Sequence, residues 1–507
     1  MLTLDGHSLT LADIVRVARQ PQPVTLTAEA RERMAHSRQW VDEIVARGEP
    51  VYGINTGFGV FADKRISAHD TQHLQRNLIL SHAVGVGEPF PAEVTRAAML
   101  IRANTLALGH SGVRPEMAET LLAMLNAGVT PIIPSQGSLG SSGDLAPLSH
   151  LALTLSTDDA DRDEDSGEAL FHGQRLSGQA AMSAAGIARV ILQAKEALAL
   201  TNGATFSAAL AALAIEDAEK LIATAEVALA LSLEALLGAS AAFDPRLHAA
   251  RGHTGQQTVA ANVRVLIADS TLMDAGGRVQ DAYSLRCAPQ VIGPARDTLD
   301  FVRGLVEREV NAATDNPLLF EGQAISGGNF HGEPMAMAMD FLGIALTEVG
   351  AIAERRIARL VDEKLNFGLP SMLVGSPQAA GLHSGLMMPH YTAAALTLEN
   401  QTLATPDSIR SLPTSANQED HNANAANAAR HARRMVENVA RILAIELFTA
   451  AQAVDLRLRA RPDLRLGRGT ARAFERVRAR VPFIERDQLY GPAIEALMAM
   501  VRAGEVV

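Results

Sequence analysis

The rhythm of apolar positions changes partway along the chain. In the first part, short helical patterns such as Thr95 to Leu108 are punctuated by glycine clusters at 53–59 (GINTGFG), 85–87 and 137–143. Glycine reaches backbone conformations closed to other residues, so these clusters predict loops of specified shape. From about residue 180 the pattern becomes that of buried helices. No proline occurs between Pro147 and Pro245, Ala, Leu, Ile and Glu dominate, and Leu210, Leu213, Ala214 and Leu221 recur at helical spacing. The one break is Thr201-Asn202-Gly203. Two further long helices are predicted over about 335–362 and 418–457, with polar loops at 275–293, 311–334 and 411–421. The acidic stretch 157–167 predicts an exposed turn or hairpin tip. Together these elements predict a mainly α protein, with a looped N-terminal domain over 1–205 and a long helical bundle with C-terminal helices over 206–507.

Composition narrows the function classes. The 507 residues are 48% hydrophobic and 20% charged, enough apolar material for a large core. A formal net charge of -11 argues against a nucleic-acid partner, which would require a dense basic face. Arg430, Arg433 and Arg434 are expected on a solvated helix face. The single cysteine, Cys287, excludes an internal disulfide and fits a reducing compartment. The apolar stretch 225–243 is broken by Glu226 and Glu234, whereas a membrane span needs ~20 mostly apolar residues. The first residues lack the basic start and apolar run of a signal peptide, so a cytoplasmic location is expected.

The segment GSLGSSGDLAPLSH, Gly137 to His150, carries the most distinctive chemistry. It holds neither a phosphate-binding loop nor a nucleophile elbow. It does place Ser141-Ser142-Gly143 between Gly140 and Asp144. The Gly143 amide nitrogen can attack the Ser141 carbonyl carbon; loss of water and dehydration of Ser142 then give a methylidene-imidazolone ring. Glycine suits the attacking position because it tolerates a tight loop. On the tripeptide alone, a Gly/Ser-rich turn capped by Asp144 is the favoured reading.

The whole segment closely resembles the cofactor-forming loop of the aromatic amino acid ammonia-lyases and their related aminomutases. The resemblance runs along nearly the whole chain, through YGINTGFG (52–59), LSHAVGVGEP (80–89), TNG (201–203), QDAYSLRCAPQ (280–290), TDNPL (314–318), SGGNFHGEP (326–334) and SLPTSANQEDH (411–421). It implies an ammonia-lyase-like fold of the fumarase/aspartase-like superfamily. It also implies a homotetramer whose sites are completed by neighbouring chains, and 4-methylidene-imidazol-5-one formed autocatalytically from Ser141-Ser142-Gly143. Elimination of an amine needs a strong electrophile that ordinary side chains do not supply, which is why such chemistry passes to a cofactor.

By the same resemblance, Tyr52 is the base for the β-proton, a role that calls for a lowered phenol pKa. Arg286 is the carboxylate clamp, its planar fork suited to bidentate binding. Gln280 and Tyr283 line the site, Asn202 binds the ring oxygen, and Phe330 packs beside cofactor and substrate. Ser81-His82 and Glu419 are the choices of the histidine-specific members. A carboxylate can accept from an imidazole N–H, whereas a phenyl ring would leave it unpaired. The alternative for His82 and Glu419 is a structural polar pair. His331 with Glu333, and Asp420 with His421, match no metal-ligand spacing, and no metal is expected.

The chain departs from the family pattern in places. Ser141 stands where alanine is usual. Ala204-Thr205 follows Asn202-Gly203, where the histidine-specific members usually carry Thr-Gln. Met387 to Tyr391 and Asn422-Ala423-Asn424 are also unusual. The expected reaction is loss of ammonia from L-histidine to give trans-urocanate. The alternatives are a lyase for a histidine-derived betaine such as ergothioneine, an aromatic amino acid lyase or aminomutase, and a catalytically silent scaffold.

Overall fold

The computed structural model describes residues 1–67 and 70–507. It is 59% helix and 8% strand, which makes the fold mainly α. It contains two compact units, each drawn from several stretches of chain. One comprises Met1–Glu216, Arg303–Asp340 and Pro406–Arg430; the other comprises Asp217–Val302, Phe341–Thr405 and His431–Val507.

The first unit is built around the helix Ala92–Ala107, whose Val94, Ala97, Ala98, Met99, Leu100, Ile101 and Leu106 are all buried. Helices Leu11–Arg19 and Pro115–Ala127 pack on it. Small sheets staple the loops between helices. Leu2–Leu4 pairs in parallel with Val24–Leu26, and Val86–Pro89 pairs antiparallel with Pro134–Gln136. The hairpin Glu168–Phe171/Gln174–Ser177 extends Thr130–Pro131 into three strands. The acidic stretch before that hairpin is not simply a solvated tip. Asp161 is enclosed between Arg76, at 2.7 Å, and Arg189, at 2.9 Å. Arg76 is itself buried on the helix Thr71–His82, so the acidic turn anchors that helix.

The second unit is a bundle of long helical stretches with a polar knot in its core. Arg356 forks onto Glu446, and Ser232 donates to the same carboxylate at 2.8 Å. Arg356 and Glu446 have no solvent exposure, so the two charges balance each other away from water. Arg433 is likewise mostly buried, 2.6 Å from Asp217, and does not sit on a solvated face.

The long helices are Thr205–Ala235, Ala288–Glu309, Glu333–Val361 and Ala425–Ala460. The last begins seven residues later than its apolar rhythm predicts. Asn424 has a left-handed backbone at φ 57, which breaks any helix started at 418. Helix Glu333–Val361 is long and apolar enough to cross a membrane, but 61% of its most apolar window is buried within the protein, as in a core helix.

Candidate functional site

A cavity of about 1140 Å³ opens in the first unit. Its lining includes Tyr52, His82, Ser141, Ser142, Asn202, Phe330 and Glu419. Residues distant in sequence are thus brought to one place.

One wall is a helix face. Leu74, Asn77, Leu78, Ser81 and His82 lie at helical spacing along Thr71–His82 and all reach the cavity. His82 ends that helix, and its Nδ1 lies 3.0 Å from the Ser81 hydroxyl. Burial pushes the imidazole pKa below its ordinary value, opposed by a backbone hydrogen bond at Leu78 and by the Glu419 charge. Tyr52 enters from the turn after helix Ala28–Arg47. The Asn55 side chain shapes that turn, accepting from the Val51 amide and donating to the Glu49 carbonyl, both at 2.8 Å. Gly53 has φ +74, and a Cβ there would lie 2.7 Å from Leu198 and 2.9 Å from Pro317.

The electrostatics at Tyr52 differ from expectation. Burial raises the phenol pKa, a backbone hydrogen bond at Gly59 opposes this, and the Glu419 and Asp315 carboxylates raise it further. Among the described residues the net direction is upward, which disfavours the tyrosinate.

The Ser141-Ser142-Gly143 turn faces Asn202-Gly203 across a short backbone bridge. The Gly203 amide donates to the Ser142 carbonyl at 3.3 Å, and the Asp144 amide donates to the Gly203 carbonyl at 2.9 Å. A Cβ on Gly143 would fall 2.1 Å from the Gly203 nitrogen, so only glycine fits. Asp144 is fully buried. Its carboxylate does not cap its own helix but reaches the start of Thr205–Ala235, accepting from the Ser207 amide at 2.8 Å and the Ser138 hydroxyl at 2.8 Å. Burial pushes this carboxyl pKa up, against those hydrogen bonds.

Asn202 is 4% exposed, and its side-chain oxygen has no hydrogen-bond partner among the described residues. A buried oxygen of this kind is an acceptor awaiting a donor at the cavity wall. The backbone cradle at Gly143, which a Cβ would fill, fits a five-membered ring closed from Ser141, Ser142 and Gly143.

Glu419 sits opposite. The Ser142 hydroxyl donates to its Oε1 at 2.5 Å, and Thr414 donates to its Oε2 at 2.9 Å. His82 and Glu419 share the cavity with no direct hydrogen bond between them among the described residues.

Gln280, Tyr283 and Arg286 belong to the second unit and do not line this cavity. Tyr283 is 70% exposed in the single chain, with the Arg286 guanidinium 4.7 Å from its ring centre.

Sequence reasoning missed several lining residues: Lys64, Asn77, Asn316, Ser326, Gln418 and His421. The helical spacing from Leu74 to Ser81 carried the signal for Asn77. Asn316 lies in TDNPL, where its carboxamide ties to Ser326 and Gly327 at 3.2 and 2.6 Å. Behind it, Lys195 and Asp315 form a fully buried pair at 2.6 Å. His331 stacks on His421, ring centres 6.0 Å apart.

Comparison with known proteins places this arrangement in context. The aromatic amino acid lyase family model matches residues 9–479. A histidine ammonia-lyase of Caldanaerobacter subterraneus subsp. tengcongensis is 48% identical over 510 aligned residues, covering all of this chain and 97% of the relative. Among solved structures, histidine ammonia-lyase from Trypanosoma cruzi superposes with a TM-score of 0.90 at 40% identity, covering 100% of this chain and 94% of that one. Tyrosine aminomutase from Streptomyces globisporus gives 0.92 at 38% identity, covering 100% and 97%.

Proposed function

The chain belongs to the aromatic amino acid lyase family, and from that membership we propose that it eliminates ammonia from L-histidine to give trans-urocanate. The carrying observation is the Glu419 carboxylate, held by Thr414 and aimed into a cavity walled by Leu74, Leu78, Leu145, Leu198 and Phe330. An imidazole N–H satisfies that carboxylate, whereas a phenyl ring would strip its water and return nothing. His82, held in its neutral form by burial, adds a second polar contact for the ring.

The 4-methylidene-imidazol-5-one formed from Ser141, Ser142 and Gly143 supplies an electrophile that makes the substrate amine a competent leaving group. Asn202 would hold its ring oxygen by donating from its side-chain Nδ2–H, and Phe330 would pack beside it. Tyr52 takes the β-proton, the Cβ–H electron pair forms the Cα–Cβ double bond, and the Cα–N pair leaves with the amine.

Tyr52, whose pKa is raised by its surroundings in one chain, needs a nearby positive charge, and the substrate carboxylate needs a clamp. Both needs are met if the exposed loop of Gln280, Tyr283 and Arg286 enters the site of a neighbouring copy. A closed homotetramer supplies that contact, and the exposed Phe301, Phe341 and Ile344 give it an apolar face to bury. The single Cys287 suits a reducing, cytoplasmic setting.

The test is a one-pot competition among L-histidine, L-tyrosine and L-phenylalanine. The wild-type protein should consume L-histidine with a preference of about 10⁴-fold or more, as expected of a site whose buried polar group needs a partner. Glu419→Ala should lose most of that preference. Preferential consumption of either phenyl amino acid by the wild type would reject the assignment.

A further inference from the structure

We propose that Ser141 is a positioning residue that ties the Glu419 loop to the ring-forming tripeptide. This rests on the reading of Glu419 as the contact to the substrate ring. The Ser141 hydroxyl oxygen accepts from the Ala423 amide at 3.3 Å, and both residues are buried, at 5% and 0% exposure. The neighbouring Asn422, also buried, donates from its side chain to the Leu412 carbonyl and to the Thr414 hydroxyl, while its amide donates to the Ser411 hydroxyl at 2.8 Å. Thr414 in turn donates to Glu419, and Glu419 accepts from Ser142. The path is closed: Ser141, Ala423, Asn422, Thr414, Glu419, Ser142 and back along the chain to Ser141.

Ring formation opens this circuit at one point only. Dehydration of Ser142 removes the hydroxyl that binds Glu419, freeing that oxygen for substrate. Closure consumes the Ser141 carbonyl oxygen and leaves its side chain intact. The Ser141–Ala423 bond is therefore the side-chain tether that persists between the ring and the Glu419 loop. The Leu139–Ala425 backbone bond, at 3.1 Å, fixes only the far end, where the following helix starts. The loop has need of a tether, because Ser415, Ala416 and Asn417 hold three successive left-handed backbones at φ 50, 52 and 66. Such conformations persist only where the surroundings enforce them. Alanine at 141 would leave the buried Ala423 amide unpaired and the loop freer to relax.

The experiment compares wild type with Ser141→Ala and Ser141→Thr by three readouts: intact mass, hydrogen–deuterium exchange over 411–424, and steady-state kinetics with L-histidine. All three proteins should show the mass loss of two waters. Ser141→Ala should exchange faster over 411–424 and raise KM roughly tenfold, the factor set by one ordinary hydrogen bond, with kcat nearly unchanged. Ser141→Thr, which keeps the hydroxyl, should restore both. Should the alanine variant fail to fold, Ser141→Cys, with its weak acceptor sulfur, carries the same expectation. Unchanged exchange and KM in Ser141→Ala would overturn the tether, as would a loss confined to kcat. A wild type inert toward L-histidine would overturn the functional reading instead, while the exchange comparison would still decide the tether.

Discussion

Tyr52 shows most clearly how a residue's environment shapes its proposed chemistry. Its phenol is partly buried and sees two carboxylates, so its pKa is raised and the tyrosinate is the disfavoured form. The sign then follows. A base that acts as the anion gains active fraction as pH rises toward its pKa. The pH profile of kcat/KM should therefore climb from neutral into the alkaline range; a profile that falls over that interval would contradict the assignment. Tyr52→Phe should lower turnover by roughly 10²–10⁴-fold, the usual contribution of a general base, with an unchanged melting temperature. The position of Tyr52 in a glycine-rich loop was legible in the sequence. Its electrostatics were not, because Glu419 and Asp315 lie hundreds of residues away and reach it only through folding.

Among the elements, the ring-forming turn depends on its neighbours more than on itself. Its sequence reads as a Gly/Ser turn with Asp144 as a helix cap. In the fold Asp144 is spent on a different helix, holding the Ser207 amide at the start of Thr205–Ala235 and the Ser138 hydroxyl. The turn and the Asn202-Gly203 break are thus fixed to each other. Asp144→Ala should lower stability by about 1–2 kcal/mol, as for a lost helix cap, and reduce the fraction of chains showing the two-water mass loss. A fully modified, equally stable variant would show that the turn is set without Asp144. Helix periodicity located Glu333–Val361 well, since it buries a continuous apolar face, but the polar loop expected over 275–293 runs into helix Ala288–Glu309. It misplaced the start of the helix at Ala425, because apolar spacing carries no record of the left-handed backbone at Asn424. It also gave no sign that 303–340 and 406–430 fold with the first 216 residues, since that grouping comes from contacts distant in sequence.

The whole molecule extends the account beyond one chain. Tyr52, His82, Asn202, Phe330 and Glu419 gather in one cavity, while Gln280, Tyr283 and Arg286 stand in another unit, with Tyr283 largely exposed. Family motifs named both sets, but no feature of the sequence divides them. If neighbouring copies complete each site, two inactive variants should rescue one another. Co-assembled Tyr52→Phe and Arg286→Met chains should recover up to about a quarter of wild-type turnover, the share of sites that draw both intact residues from different chains. No recovery in verified mixed assemblies would place both residues in a site built from a single chain.

The most direct measurement is turnover of L-histidine by the purified protein, followed by the ultraviolet absorbance of a conjugated imidazole acrylate with ammonia assayed in the same sample. The account predicts that both products appear together, one for one, at a rate typical of enzymes. A folded, oligomeric protein that carries the ring and yields neither product would contradict it.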